Sequence, residues 1–193
     1  MNCYVLTGGL SRRMGTSKAR LELEGRRFID RIVAAAEPVF DRVIAVTRDG
    51  EPSWDGLETL HEDPHGEPSA IFGIRKALDH GGDRVWILAA DYPLVTTELL
   101  GYLRSRFEQS EASLLVPVWH GHPQLLCAGY ARGLRDMLDD MIRTNRLRLR
   151  ELLVAAESEQ IGESELRAAF PGEPLSNINL PRELERLRRD YER

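Results

Sequence analysis

Short runs of apolar residues alternate along the chain with segments in which apolar residues recur every three or four positions. The clearest runs predict buried strands over 2–7, 42–47 and 85–90. Weaker runs predict strands over 56–61, 113–118 and 124–130, the last returning antiparallel after a turn. Apolar residues at helical spacing predict helices over 26–37, 69–79, 96–108 and 131–142, with a final helix from near Pro181 to Arg193. This alternation predicts an α/β fold, built on a mostly parallel sheet with helices on both faces, whose ligands bind at the carboxyl ends of the strands.

Composition narrows the class of protein. With 193 residues and no evident linker, residues 1–193 are expected to form a single domain with a sizeable core. The 26 basic and 31 acidic side chains give a net charge of −5, which argues against a nucleic-acid partner held by bulk charge. No apolar run approaches the about 18 residues of a membrane span, and the first residues lack a signal-peptide pattern. We therefore expect a cytoplasmic protein with no membrane partner.

Cys3 and Cys127 are too few and too far apart for a disulfide framework or a four-ligand zinc site.

The segment after the first predicted strand carries the densest candidate chemistry. Gly8 and Gly9 end that strand, and Arg12, Arg13 and Lys18 follow within ten residues. Paired glycines let the backbone approach a ligand closely, and Arg and Lys are the side chains that bind phosphates. The spacing matches neither a Walker A loop nor a dinucleotide fingerprint. On residue chemistry alone, phosphate binding and a glycine turn with solvated charges both fit.

Two carboxylates also follow predicted strands. Asp91 comes directly after the apolar run 85–90, at the edge of the sheet where α/β active sites lie. Magnesium is held by one or two carboxylates together with substrate phosphates, so Asp91 suits a nucleotide–metal site. The alternative is an Asp that caps the helix after Pro93. At Asp63, which precedes Pro64, nucleotide contact competes with an ordinary Asx turn.

Two further features allow two interpretations each. His120 and His122 suggest metal ligands, but Gly121 and Pro123 fit a hairpin turn, and no third ligand for a catalytic zinc is evident nearby. The arginine-rich run 143–150 fits a solvated face, with a phosphate site for a second substrate as the alternative.

Together, these segments resemble the molybdenum cofactor guanylyltransferase family of nucleotidyltransferases. Residues 6–18 are similar to that family's Leu-Ala-Gly-Gly…Arg-Met-Gly…Lys signature, and Asp91 with Pro93 resembles its Asp-x-Pro magnesium site. Asp63 falls where the family has a nucleotide-contacting Asp. Residues 177–181 resemble its Asn-x-Asn-Thr-Pro segment, and His122-Pro123 resembles a His-Pro pair near the second substrate. The resemblance covers essentially the whole chain in the same order.

The resemblance implies a Rossmann-like fold of the nucleotide-diphospho-sugar transferase kind. Its implied activity joins GMP from GTP to the phosphate of molybdopterin and releases pyrophosphate. The implied cofactor is Mg²⁺. The implied partners are GTP and molybdopterin, together with transient contacts to molybdenum cofactor biosynthesis proteins or acceptor apoenzymes.

The resemblance also implies roles for individual residues. The catalytic residues would be Arg13, Lys18 and Asp91, with Asp91 as the metal ligand. The nucleotide-binding residues would be Leu6, Thr7, Gly8, Gly9, Lys18, Asp63 and Asp91. The acceptor-binding residues would be His122, Asn177 and Asn179. No deprotonating base is needed, because the acceptor phosphate is already an anionic nucleophile, and this fits the lack of a base motif.

The chain departs from the family pattern at three places. Ser17 stands where members usually carry Asp, and Thr7 replaces the usual Ala. The segment 69–73 keeps only the last glycine of a Gly-Pro-Leu-Ala-Gly loop. Gly8-Gly9 favours guanine over cytosine, since the related cytidylyltransferases carry Leu-Ala-Ala-Gly there. A cytidylyltransferase or other small-molecule nucleotidyltransferase, and a catalytically weak nucleotide- or cofactor-binding delivery protein, remain as alternatives.

Overall fold

A computed structural model describes residues 1–8, 18–63, 68–178 and 183–185. The strands are β1 Asn2–Leu6, β2 Glu22–Leu23, β3 Arg26–Arg27, β4 Val43–Thr47, β5 Thr59–His61, β6 Arg84–Ala89, β7 Leu114–Trp119, β8 His122–Pro123, β9 Cys127–Ala131 and β10 Ser158–Ile161. The helices are α1 Phe28–Ala36, α2 Ala70–His80, α3 Thr97–Gln109, α4 Arg135–Arg143, α5 Leu152–Ala155 and α6 Glu163–Ala169. Of the final helix predicted from Pro181, the structure describes 183–185, which are helical. No helix in these described stretches is long and apolar enough to cross a membrane.

The main sheet is mixed but mostly parallel, as the alternation of strands and helices predicts. Its order is β10-β7-β9-β6-β1-β4-β5, and β8 pairs with β7. β1 lies between β4 and β6 and is parallel to both, and β5 extends the parallel set beyond β4. β9 is antiparallel to its neighbours β6 and β7, while β10 is parallel to β7. The strands β1, β4, β5 and β6 therefore end at one edge of the sheet, which we call the carboxyl edge.

Helices cover both faces of this sheet. Alternate residues of β1 face opposite sides, as the pleat of a strand requires. Cys3 and Val5 pack in the cluster that contains residues of α1 and α3, and Tyr4 and Leu6 pack in the cluster that contains residues of α2 and α4. The predicted α/β architecture is thus confirmed. The two buried clusters hold the strands rigidly, so that the residues following each strand are fixed relative to one another.

The structure differs from the predicted elements mainly at the sheet margins. The helix predicted from residue 26 begins at Phe28, because Arg26 and Arg27 form the short antiparallel β2–β3 hairpin. The turn of that hairpin places Glu24 and Gly25 at φ angles of 51° and 70°. The region 152–169, for which the sequence predicts no strand or helix, contains α5, β10 and α6. β10 is an edge strand with only one buried residue, Ile161, and so it lacks the apolar run on which strand prediction depends.

Gly129 in β9 allows a close contact between the sheet and α3. A Cβ atom added there would lie 2.3 Å from Cδ1 of Phe107, a fully buried ring. We expect Gly129→Ala to lower the free energy of unfolding by about 1–3 kcal/mol, because the ring must move within a packed core. Gly101→Ala is the matched control: apart from its chain neighbours and the backbone of α3, no heavy atom lies within 4 Å of the Gly101 Cβ position. The control should be neutral or stabilising by up to about 1 kcal/mol. Urea unfolding of both variants measures the difference, and equal stability would contradict this packing.

Candidate active site

Asp91 lies at the carboxyl edge, immediately beyond the end of β6. The amide of the preceding residue, Ala90, donates to the Leu6 carbonyl over 3.0 Å, which holds this turn against the end of β1. The Asp91 side chain is only 14% exposed. The N-cap of α3 is Thr96, whose hydroxyl accepts from the Leu99 amide over 3.3 Å. Asp91 is therefore not the cap of the following helix, and helix capping does not explain its carboxylate.

Lys18 pairs with Asp91 across 73 residues of sequence. Its Nζ donates to Oδ2 of Asp91 over 3.1 Å, and its side chain is 20% exposed. The other oxygen, Oδ1, is buried with no hydrogen-bond partner in the described structure. Burial raises the pKa of the Asp91 carboxyl above its usual value, and the Lys18 ammonium opposes this shift. The site thus holds a desolvated carboxylate with an unsatisfied oxygen, which favours the approach of a cation.

The donor set at Asp91 fits magnesium. Among the described residues, no three His, Cys, Asp or Glu side chains lie together as metal ligands. Magnesium does not need such a cage, since it is commonly held by one or two carboxylates, water and substrate phosphates. A protein-held catalytic zinc would need three side-chain ligands. The unsatisfied Oδ1 of Asp91 is thus suited to a hard cation that arrives with a phosphorylated substrate.

The two histidines of the 120–123 segment belong to a hairpin. His120 and Gly121 form its turn at φ angles of 50° and 69°, and β8 pairs antiparallel with β7. His120 Nε2 lies 2.8 Å from Oε2 of Glu173. His122 is exposed in β8. The hairpin interpretation is confirmed, and the described residues show no metal cluster here.

The residues at the end of β1 serve the fold as well as the site. The Leu6 carbonyl accepts from Ala90, and the Thr7 amide donates to the Val46 carbonyl over 2.9 Å. The Thr7 hydroxyl donates to the same carbonyl and accepts from Nε1 of Trp54 over 3.1 Å. Thr7 is only 4% exposed. Its departure from the family's Ala thus has a structural explanation, because it supplies the buried partner that the Trp54 indole requires.

Gly8 and Arg48 lie side by side at the carboxyl edge. A Cβ atom at Gly8 would lie 2.7 Å from Cγ of Arg48, so the arginine passes where a side chain would otherwise be. Arg48 immediately follows β4 and thereby adds a cation beside the glycine. Arg48 is not predictable from a motif, because a single Arg in a loop matches none. The available signal was its position directly after a predicted strand.

The loop after β5 contains one exposed and one buried carboxylate. Asp63 is 82% exposed and accepts from Nζ of Lys76 over 2.9 Å, so the structure places it on the surface, paired with α2. The neighbouring Glu62, which sequence analysis did not single out, is 7% exposed. A Cβ atom at Gly73 would lie 2.9 Å from Oε1 of Glu62 and 3.0 Å from Cδ2 of Leu6. This explains in packing terms why the altered 69–73 segment keeps its last glycine.

The beginning of α2 contacts the arginine-rich segment. The Ser69 hydroxyl accepts from the Ile71 amide and so caps the helix over 3.3 Å. The same hydroxyl donates to the Leu147 carbonyl over 3.3 Å. Arg146 pairs with Asp140 and Glu151 on the surface. The 143–150 segment therefore adjoins the carboxyl edge, although the described Arg146 contacts are those of a solvated face.

The predicted acceptor residues approach the site from two other segments. The Ile178 amide donates to the Asp91 carbonyl over 2.9 Å, so the exposed Asn177 lies next to the Asp91 turn. His122 is exposed on the β7–β8 hairpin, which hydrogen bonds join to the 173–178 segment through Trp119 and His120. Gly9, Arg13 and Asn179 lie outside the described residues, and their roles remain predictions.

Residues 3–161 match the family model described as a MobA-like NTP transferase domain. The chain belongs to this family. Its members are nucleotidyltransferases, so the chain is a transferase of that class, and the resemblance inferred from the short motifs is confirmed.

Curated relatives of this MobA-like transferase match over most of their length. A protein of Aquifex aeolicus named probable molybdenum cofactor guanylyltransferase is 28% identical over 189 residues, covering 96% of this chain and 89% of the relative. A protein of Mycobacterium tuberculosis with the same name is 29% identical over 191 residues, covering 91% of this chain and 87% of the relative. The chain is thus related to proteins named for molybdenum cofactor biosynthesis.

Solved structures place the MobA-like transferase in the same fold. Molybdopterin-guanine dinucleotide biosynthesis protein A from Archaeoglobus fulgidus superposes with a TM-score of 0.87 at 27% identity, covering 100% of this chain and 99% of that one. A 2-C-methyl-D-erythritol 4-phosphate cytidylyltransferase from Thermus thermophilus has a TM-score of 0.71 at 14% identity, covering 98% of both chains. At that identity the second likeness shows the fold alone. The expected nucleotidyltransferase fold is confirmed.

Proposed function

We propose that this MobA-like transferase joins GMP from GTP to the phosphate of molybdopterin, releasing pyrophosphate and forming the guanine dinucleotide form of the cofactor. The observation that carries the proposal is the Asp91–Lys18 pair, a buried carboxylate and a cation at the carboxyl edge of a nucleotidyltransferase sheet. Full-length similarity to proteins named for this reaction supports the choice of substrates.

The transfer is a substitution at the α-phosphorus of GTP. An anionic oxygen of the acceptor phosphate forms the new bond to that phosphorus, and the bond to the bridging oxygen of the β-phosphate breaks. The electron pair of the broken bond leaves with pyrophosphate. Because the attacking oxygen is already anionic, the site needs no general base, and its task is to position the phosphates and to balance their charge.

Cationic groups at the carboxyl edge would balance the charge of the triphosphate. In this proposal Lys18 contacts the phosphates, Arg48 approaches them beside Gly8, and Arg13 adds a third cation. Magnesium would be held by Asp91 and would neutralise charge on the transferred and leaving phosphates. Asp63 and the backbone from Leu6 to Gly9 are assigned to nucleotide binding, Asp63 through the loop that follows β5.

The acceptor would bind across the Asp91 turn from the nucleotide. Asn177 is exposed beside that turn, and His122 is exposed on the neighbouring hairpin. An amide and an imidazole are suitable hydrogen-bonding groups for the polar edge of a pterin. Asn179, two residues further along, is assigned to the same acceptor side.

The proposal is tested by pyrophosphate release from purified protein with molybdopterin and Mg²⁺, comparing GTP with CTP. We expect release with GTP and little with CTP, and we expect a chelator to abolish it. A preference for CTP would keep the transferase and overturn the assignment of guanine. Tight GTP binding without release would instead favour a cofactor-delivery protein.

A further inference from the structure

Gln124 connects the Asp91 turn to the β7–β8 hairpin. Tyr92, the residue after Asp91, donates its hydroxyl to Oε1 of Gln124 over 2.9 Å. Nε2 of Gln124 donates to the carbonyls of Trp119 over 3.0 Å and His122 over 2.8 Å. An amide side chain has two N–H donors and one carbonyl acceptor, and here both of its ends are occupied.

The bridge between Tyr92 and Gln124 is buried. Tyr92 is 2% exposed and Gln124 is 9% exposed. Hydrogen bonds in such surroundings are costly to leave unmade, because the orphaned groups have no water to replace the partner. The bridge therefore fixes the distance between the Asp91 turn and the hairpin more firmly than surface contacts would.

The same two segments are also tied to a third. The Ile178 amide donates to the Asp91 carbonyl over 2.9 Å. On the hairpin, Nε1 of Trp119 donates to Oε2 of Glu173 over 3.1 Å. The Asp91 turn, the hairpin and the 173–178 segment thus form a closed frame. Within this frame, the Tyr92–Gln124 hydrogen bond joins a side chain of the turn directly to a side chain that is bonded to the hairpin.

We propose that Gln124 is a positioning residue for the acceptor: with Tyr92 it holds the His122 hairpin at a fixed distance from Asp91, so that the acceptor phosphate meets the nucleotide in line. The inference rests on the transfer function proposed above. It differs from a contact role, since neither Gln124 nor Tyr92 is expected to touch either substrate.

The chemistry explains why positioning matters here. The transfer uses no general base, so its rate depends on holding two anionic phosphates in the correct geometry. In the proposed function, GTP binds at the end of β1 and beside Lys18, whereas the acceptor binds next to Asn177 and His122. Loosening the bridge should therefore impair use of the acceptor and leave nucleotide binding intact.

Tyr92→Phe tests the inference, because it removes the bond to Gln124 and leaves the amide attached to the hairpin. The matched control is Tyr130→Phe: Tyr130 is also buried, and its hydroxyl donates over 2.7 Å to the Leu125 carbonyl rather than to Gln124. Steady-state transfer is measured with molybdopterin varied at saturating GTP, and then with GTP varied at saturating molybdopterin.

We expect Tyr92→Phe to raise the KM for molybdopterin about tenfold, the scale of one buried hydrogen bond, with the KM for GTP unchanged within about twofold. Tyr130→Phe should change neither constant, although thermal stability falls similarly in both variants. Gln124→Met should reproduce the effect of Tyr92→Phe at least in full; if it fails to fold, the two tyrosine variants still decide the question. An unchanged acceptor KM in Tyr92→Phe, with an active wild type, would overturn the positioning role alone. A wild type without transfer would overturn the proposed function, and the positioning role with it.

Discussion

Asp91→Asn is expected to lower the rate of transfer about 10³-fold or more, the scale seen when one preorganised electrostatic group is removed from an active site. Asparagine keeps the size of the side chain and a carbonyl oxygen for Lys18, but it carries no charge to hold a divalent cation. The loss should appear in kcat at saturating GTP and molybdopterin, and added Mg²⁺ should not restore it.

The same variant should fold normally. Burial raises the pKa of Asp91, so ionisation of this carboxyl costs the folded protein free energy. A neutral amide removes that cost, so we expect the free energy of unfolding to be unchanged or higher. Asp139→Asn is the control, since Asp139 is an exposed carboxylate paired with Arg75 on the surface between α2 and α4. Turnover of Asp91→Asn equal to that of Asp139→Asn would remove Asp91 from the reaction.

Lys18→Met is expected to weaken GTP binding about 10- to 100-fold, the worth of one charge-assisted contact with a phosphate. Arg42→Met is the control, because Arg42 directly precedes β4, at the opposite edge of the sheet, and pairs with Glu58 on the surface. Calorimetric titration with GTP measures the effect. Wild-type affinity in Lys18→Met would mean that the ammonium serves only the ion pair with Asp91.

Lys18→Met should also lower stability in a pH-dependent way. Removing the ammonium leaves the largely buried Asp91 carboxylate without its partner, which costs about 1–2 kcal/mol for a pair that retains some solvent contact. The pKa of Asp91 is already raised and rises further in the variant. As the pH falls, the carboxyl is protonated in both proteins, and the difference in stability shrinks. A difference that persists or grows toward acid pH would contradict this assignment of the charges.

The centre of the fold was predictable from the sequence, and its margins were not. β1, β4 and β6 are buried on both faces, so their apolar runs are almost continuous. By contrast, β10 pairs on one side only, and the β2–β3 hairpin consists of two-residue strands rich in charge. Such elements are stabilised by the sheet and the helices around them rather than by their own hydrophobic pattern. Local sequence periodicity therefore does not predict them.

The candidate site shows the same division. Asp91 was predictable because a carboxylate after an apolar strand has a fixed place in an α/β sheet, and Lys18 because cations near paired glycines suit phosphates. Arg48 and Gln124 were missed because their significance lies in contacts with residues far away in sequence. Asp63 remains a predicted nucleotide contact, although the structure shows it on the surface with Lys76.

We propose that this chain transfers GMP from GTP, and labelled GTP tests this reaction most directly. The protein is incubated with Mg²⁺, molybdopterin and GTP that is labelled at either the α- or the γ-phosphate. The products are then separated and identified by mass spectrometry. We expect the α-label to enter a molybdopterin–guanine dinucleotide and the γ-label to leave in pyrophosphate. Release of the γ-label as free phosphate, or failure of the α-label to join molybdopterin, would contradict it.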